Sequence, residues 1–491
     1  MNLKQLFAKK TDFVNDTEGP RLARTLGPVG LTAIGIGAVI GGGIFVITGN
    51  AAATNAGPAV LLSFIMAAVG CSFTALCYAE FATLIPMSGS SYSYAYATLG
   101  ELAAWFIGWN MVLEYGVSAS AVAASWTGYF GSLLDEVGIH LPTVLANAPL
   151  AYSDDGGLAL THAWINLPAV AIVLLLTWLC YIGIKESAGM NTAMVILKVA
   201  LVLLVIIVGW HYVNPALWHP FIPENQGPEK FGWSGVLRGA SMVFFAYIGF
   251  ETTSTLAQES KNPQRDLPIG TIASLVICTL LYIGMAAVLT GLVSYTELGT
   301  SEPVVTAVKA HPDLGWLRLV VEIGALIGLS SVILCMVIAQ PRIFMIMGRD
   351  GMLPPVFSKI HPRYKTPHVN TVITGIAIAV LAAVFPLDLL ANLVSTGTLI
   401  AFCAVCIGVL ILRRTQPDAP RAFRVPWAPV TCTLGVLSCL TLLVPILLNW
   451  LNLSLMIAWT LVGLAIYFGY GYRHSKLRAG KNPQTTVTST R

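Results

Sequence analysis

Gly35-Ile36-Gly37-Ala38-Val39-Ile40-Gly41-Gly42-Gly43-Ile44-Phe45-Val46 lies inside the first long apolar stretch of the chain and carries three consecutive glycines. Glycine is about 1 kcal/mol worse than alanine in a helix interior, so the run predicts a helix unwound near its middle. Unwound backbone cannot face lipid, where each unpaired N–H or C=O costs several kcal/mol. It persists only where it lines a cavity inside the protein. A half-helix restarting at Ile44 would aim free N–H groups and the positive end of its dipole at that cavity. The N–H groups of Gly42, Gly43 and Ile44 then form a seat for a carboxylate.

The composition around this stretch agrees with a membrane setting. The 491 residues include only 10% charged side chains, and the mean hydropathy is +0.76. That is too little charge to cover a soluble protein of this size. Apolar segments at 28–57, 58–86, 93–134, 163–183, 188–212, 234–257, 268–293, 315–347, 369–386, 388–412, 428–449 and 453–472 predict an all-α polytopic membrane protein with twelve transmembrane helices. Of the 27 Lys and Arg, 22 fall on the side of the N-terminus, 4 on the other side, and Lys198 inside a span. This asymmetry places both termini in the cytoplasm of a protein of the cell membrane. The net charge of +4 therefore reflects topology and gives no reason to expect nucleic-acid binding.

The expected organisation is a cytoplasmic segment 1–27 without a cleavable signal peptide, a twelve-helix domain 28–472, and a polar cytoplasmic tail 473–491. The largest outer loop, 138–162, contains the turn sequence Asp154-Asp155-Gly156-Gly157. The nine cysteines show no metal spacing. Neither a cofactor nor a metal is expected, and no nucleophile–base motif points to an enzyme. The bilayer is the expected environment and a monomer the expected state.

The second half repeats the interruption. Gly239-Ala240-Ser241-Met242-Val243-Phe244-Phe245-Ala246-Tyr247-Ile248-Gly249-Phe250-Glu251 places a glycine in mid-span and a carboxylate two residues later. Segments one and six stand five places apart in the span order, so they run in opposite directions. Glycines also serve close helix packing. Two interrupted helices at matching places in inverted halves, 28–212 and 234–412, point instead to a transporter binding site. Segments within 428–472 would be additions to that repeat.

Three charges lie deep in spans. Lys198 sits in Met194-Val195-Ile196-Leu197-Lys198-Val199-Ala200-Leu201-Val202, where a charge costs at least ~2.5 kcal/mol. It reads as a proton carrier or as a permanently charged strut. Glu114 has Ser118 one turn on, on the same face. Glu114 and Glu251 are candidates to anchor a cationic side chain, to take a proton, or to bond freed backbone; for Glu251 helix capping is the strong alternative. Glu80 reads as structural or gating, and Arg265 and Arg349 as inner-loop charges that fix topology or form gating ion pairs.

Four blocks carry a resemblance to a known family. They are Gly35–Phe45; Tyr78-Ala79-Glu80-Phe81 through Ile85-Pro86-Met87-Ser88-Gly89-Ser90-Ser91-Tyr92; Phe244–Lys261 with Asn262-Pro263-Gln264-Arg265-Asp266-Leu267-Pro268; and Gly348-Arg349-Asp350-Gly351-Met352-Leu353-Pro354. The sequence resembles the amino acid–polyamine–organocation permeases, especially bacterial relatives of cationic amino acid transporters. The resemblance implies a LeuT-like fold of five spans inverted onto five, with two added. It implies a secondary active transporter of L-amino acids, a proton-coupled symporter working by alternating access. Exchange without protons and binding without translocation stay open. It also implies backbone contacts to substrate at Val39, Ile40, Phe245, Ala246 and Ile248, with the Phe245 ring as a lid. Lys198 stands where sodium-coupled relatives bind sodium, with backbone of Gly37 and Ile40 and the hydroxyls of Ser330 and Ser331 as expected neighbours. Met336 falls where animal cationic transporters place a small hydroxyl residue, and its thioether would shorten the pocket. Those animal members carry two further C-terminal spans, so kinship does not secure cationic selectivity.

Overall fold

The computed structural model describes residues 8–10, 26–85, 89–152, 157–182, 188–257, 259–364 and 366–477. Its principal helices are α1 (Pro28–Val39), α2 (Val60–Leu84), α3 (Glu101–Val112), α4 (Ser118–Glu136), α5 (Leu167–Ile182), α6 (Ala188–Trp210), α7 (Gly232–Val243), α8 (Pro263–Leu292), α9 (Gly315–Arg349), α10 (His368–Val384), α11 (Leu387–Thr415), α12 (Ala428–Leu448) and α13 (Trp450–Ile466).

Among the described residues, seven helical runs are long and apolar enough to cross a membrane: Gly43–Leu84, Ala193–Trp210, Pro263–Leu292, Pro312–Arg349, Leu387–Thr415, Ala428–Leu448 and Trp450–His474. Pro28–Val39, Leu167–Ile182 and His368–Val384 are apolar but shorter. The first run has 42 residues, about 63 Å if it were one helix, twice the ~30 Å hydrocarbon core. Gly57, at φ 61° and ψ −146°, divides it, and Pro58 opens the next turn. Burial is distributed as a bilayer demands. Leu203 and Ile207 on α6, Leu437 and Val444 on α12, and Leu461 and Val462 on α13 are exposed, while Lys198, Glu114 and Glu251 are buried. The chain is thus a polytopic helical membrane protein.

Three local features depart from the sequence reading. The chain is not helical throughout, because the 138–162 loop holds an antiparallel hairpin pairing Leu150 with Leu160 and Tyr152 with Leu158. Alternating Leu and Ala there suit a short ribbon; most of the expected Asp154–Gly157 turn lies outside the described residues. The 93–134 segment is divided at Gly100, whose φ of 101° separates a short helix, Ser90–Thr98, from α3. A widened π turn, Leu113–Val117, then joins α3 to α4 and contains Glu114. By contrast 315–347 forms one helix, α9, of 35 residues.

At one end of α2, Glu80 organises a buried ionic clamp. Its carboxylate accepts from Arg413 Nε at 2.8 Å and Nη2 at 2.6 Å, from Arg421 Nε at 3.1 Å, and from the Val425 N–H at 2.8 Å. Arg421 uses its remaining donors on the carbonyls of Leu412, Gln416, Pro417 and Ala419. One planar guanidinium thus folds the α11–α12 loop around itself, a task a lysine ammonium could not perform with the same geometry. Both the Glu80 and Arg421 side chains are only 1% exposed, so removing the carboxylate leaves a buried cation without a counter-charge. Glu80→Ala should therefore cost about 3 kcal/mol of stability, read as a fall in the melting temperature of the solubilised protein. An unchanged melting temperature would show that the four loop carbonyls hold Arg421 unaided.

Candidate functional site

The first interruption begins where α1 stops. Ile40 is extended, at φ −73° and ψ 99°. The Ile40 N–H closes the last turn of α1 on Ile36 O, and Gly41 O opens the next helical piece by accepting from the Phe45 N–H at 3.4 Å, so the N–H groups of Gly42, Gly43 and Ile44 stand in the first turn of that piece, where no carbonyl lies one turn back. Helical structure resumes as a π turn, Gly43–Ile47, one residue earlier than the sequence suggested. The second interruption follows α7. A 3-10 turn, Phe244–Tyr247, ends at Ile248, which is extended at φ −64° and ψ 131°. Gly249 then adopts φ 120°, a conformation open to glycine, and a four-residue helix, Thr252–Thr255, follows.

The two interruptions are packed on one another. A Cβ added to Gly43 would stand 2.3 Å from the Ala246 Cα, and one added to Gly249 would stand 2.9 Å from the Ala38 carbonyl. Only glycine allows the two backbones this close. Gly42 has more room: its added Cβ would meet Ser125 Oγ at 3.0 Å and the Phe245 ring at 3.8 Å. Ser125 of α4 and the Phe245 ring therefore pack beside Gly42, next to the N–H groups of the broken segment.

Side chains from other helices take up the freed carbonyls. Lys198 Nζ, from α6, donates to Gly37 O at 2.8 Å and to Ile40 O at 3.2 Å. The lysine is 1% exposed, and its stem runs past Gly328 of α9, where an added Cβ would lie 3.5 Å from Lys198 Cγ. Tyr282, from α8, holds its hydroxyl 2.9 Å from Val39 O and 2.8 Å from Ala246 O. One O–H thus serves a carbonyl from each interruption and can donate fully to one at a time. Tyr129 of α4 donates to Phe45 O at 2.7 Å, and its ring meets that of Phe45 edge-on. Thr48 returns its hydroxyl to Gly43 O at 3.1 Å.

Most of the residues singled out from sequence converge here, with exceptions. Ser330 and Ser331 do not reach the ammonium. Ser331 donates to Gly328 O, while Ser330 donates to Leu326 O and accepts from Trp126 Nε1. Hydroxyls in mid-helix have a carbonyl three or four residues back within reach, and here they use it. Met336 is buried on α9, one turn after Val332, which packs on Gly41. Glu251 Oε2 accepts from the Gly249 N–H at 3.0 Å, bracing the positive-φ turn. Its other oxygen and both oxygens of Glu114 are buried without a protein donor among the described residues, and the two carboxyl groups lie within hydrogen-bonding reach of one another. Sequence reasoning missed Tyr282, Tyr129 and Ser125. An isolated Tyr or Ser in an apolar span has no spacing signal that distinguishes a backbone anchor from an ordinary core residue.

Residues 26–469 match the family described as Amino acid permease. The chain is 46% identical to the branched-chain amino acid permease BcaP of Bacillus subtilis, over 96% of this chain and 99% of that protein. It is 44% identical to a methylthioribose transporter of the same organism, over 97% of this chain and 100% of that protein. It is also 38% identical to the vacuolar cationic amino acid transporter 4 of Arabidopsis thaliana, over 84% of this chain and 67% of that protein. With its two interrupted helices braced by α6 and α8, the chain belongs to the amino acid permeases of the amino acid–polyamine–organocation superfamily.

Proposed function

We propose that the chain is a secondary active transporter of L-amino acids with apolar side chains, a proton-coupled symporter working by alternating access on a twelve-span, LeuT-like frame. The observation that carries the reading is the Lys198 ammonium, buried on Gly37 O and Ile40 O at the end of α1. A carboxylate seated on the N–H groups of Gly42, Gly43 and Ile44 lies on the same broken segment, so the proton on Lys198 and the substrate act on one mobile element. When protonated, the lysine makes charge-assisted bonds that hold α1 to α6; without its charge those bonds weaken. The apolar surroundings supplied by Val39, Val332, Phe245 and Met336 favour a branched aliphatic side chain. The names of the two BcaP relatives, from Bacillus subtilis and Lactococcus lactis, point the same way.

The substrate ammonium needs acceptors, and here the reading is narrower than sequence suggested. Val39 O, Ala246 O, Gly37 O and Ile40 O already receive donors from Tyr282 and Lys198. A carbonyl has two lone pairs, so Tyr282 and the ammonium can share Val39 O and Ala246 O. A second reading comes from the methylthioribose transporter relative: a thiosugar has neither group and would leave the carboxylate seat empty.

Uptake into proteoliposomes with an inward proton gradient tests the proposal. Leucine should accumulate above its outside concentration, and methylthioribose should not compete with it. Uptake that needs internal amino acid and ignores the gradient would make the protein an exchanger; binding without flux would make it a sensor. Lys198→Ala should abolish gradient-driven accumulation while counterflow persists. Unaltered accumulation with the same pH profile would remove Lys198 from coupling. Gly43→Leu should abolish substrate binding, because its side chain must drive Ala246 away, whereas Gly42→Ala should weaken binding by about ten-fold, for one displaced contact of roughly 1.4 kcal/mol. Equal affinities in both variants, measured by competition binding, would detach the glycine run from the site. Tyr282→Phe removes one hydroxyl worth about 1 kcal/mol and should raise the KM for leucine about five-fold. An unchanged KM would limit Tyr282 to packing.

A further inference from the structure

Away from the two interruptions, a groove of about 750 Å³ opens on the surface beside the first turns of α8. One wall is a stripe of α8 that includes Pro268, Ile272 and Val276; the other is Phe423, in the α11–α12 loop held by the Glu80 clamp. From Pro268 to Val276 the stripe rises about 12 Å, most of the depth of one leaflet's hydrocarbon. At the end of the groove nearest the α8 N-terminus stands Arg265, which also lines it. Arg265 is exposed, and among the described residues no carboxylate lies within ion-pair distance of it. The nearest acids in sequence are engaged elsewhere: Asp266 accepts from the Asn262 N–H, and Glu259 faces Arg342 at 3.8 Å. Lys261, and Arg424 next to Phe423, add to the positive charge of this face.

We infer that this groove binds an anionic phospholipid, its phosphate on Arg265 and one acyl chain along Pro268, Ile272 and Val276. The inference rests on the membrane-spanning character of the chain and is independent of what it transports. An apolar stripe that faces the bilayer is filled by lipid chains in any case, so the question is which head group lies above it. An unpaired guanidinium on the Lys- and Arg-rich face selects a phosphate that carries net negative charge over a zwitterionic one, and can bind it with two parallel N–H donors. The loop wall gives the site a shape that a flat helix face lacks. Glu80 and Arg421, by fixing that loop, act on this groove from the far side.

The test uses the full-length protein, delipidated in a neutral detergent, with dioleoyl phosphatidylglycerol or dioleoyl phosphatidylcholine added back. Bound lipid is counted by native mass spectrometry and the melting temperature is followed in parallel. Phosphatidylglycerol should bind wild type about five-fold more tightly than phosphatidylcholine, the increment of one basic residue at a membrane surface. Arg265→Gln should erase that preference without changing phosphatidylcholine binding. Ala273→Trp, which fills the groove, should remove the bound lipid of either kind. Equal binding of the two lipids by wild type, a preference that persists in Arg265→Gln, or full lipid occupancy in Ala273→Trp would each overturn the assignment. Leucine uptake by the variants separates this result from the transport proposal, since neither substitution touches the interrupted helices.

Discussion

A carbonyl released from a helix inside a bilayer must find a donor, because no water is present to supply one. The rest of this molecule is arranged around that requirement at Gly37–Ile40 and at Phe245–Ile248. Each interruption alone would leave several backbone groups bare. Packed together, with Gly43 on Ala246 and Gly249 on Ala38, they share one protected interior. Lys198 then reaches in from α6 to the carbonyls of Gly37 and Ile40, and Tyr282 from α8 shares its one proton between those of Val39 and Ala246. The N–H groups of Gly42, Gly43 and Ile44 stand in the first turn of the second helical piece, the seat proposed above for a substrate carboxylate.

The same logic separates what could be read from sequence from what could not. The triple glycine and the Gly249–Glu251 pair announced both interruptions because two glycine breaks at matching places are more than close helix packing requires. Lys198 announced itself because a charge there demands a partner, and its contacts with Gly37 and Ile40 are those the resemblance implied. The serines failed as neighbours of Lys198 because a hydroxyl in a helix can satisfy itself locally on the preceding turn. Tyr282 and Tyr129 were illegible for the opposite reason. Each is an aromatic residue in an apolar span, and only the fold shows that its hydroxyl meets an orphaned carbonyl. The hairpin at Leu150–Leu160 was missed because three-residue strands leave almost no periodic signal.

The buried charges divide into two kinds. Glu80 is saturated, with two arginines and a backbone N–H around it, and it fixes a loop. Glu114 and Glu251 face one another where the second interruption restarts, and among the described residues no basic side chain or N–H donates to Glu114 or to the second oxygen of Glu251. A saturated carboxylate serves rigidity; an unsaturated one is where a moving proton or a passing cation would find an acceptor. The saturated clamp stands at one end of α2 and the Glu114–Glu251 pair beside the second interruption.

That both interruptions form one site is the claim on which the account stands. Hydrogen–deuterium exchange of the reconstituted protein tests it directly, by comparing peptides that cover 39–46 and 244–250 with and without saturating leucine. The account predicts that leucine slows exchange in both peptides together, with the same concentration dependence. Protection of one without the other, or of neither while leucine is bound, would contradict it.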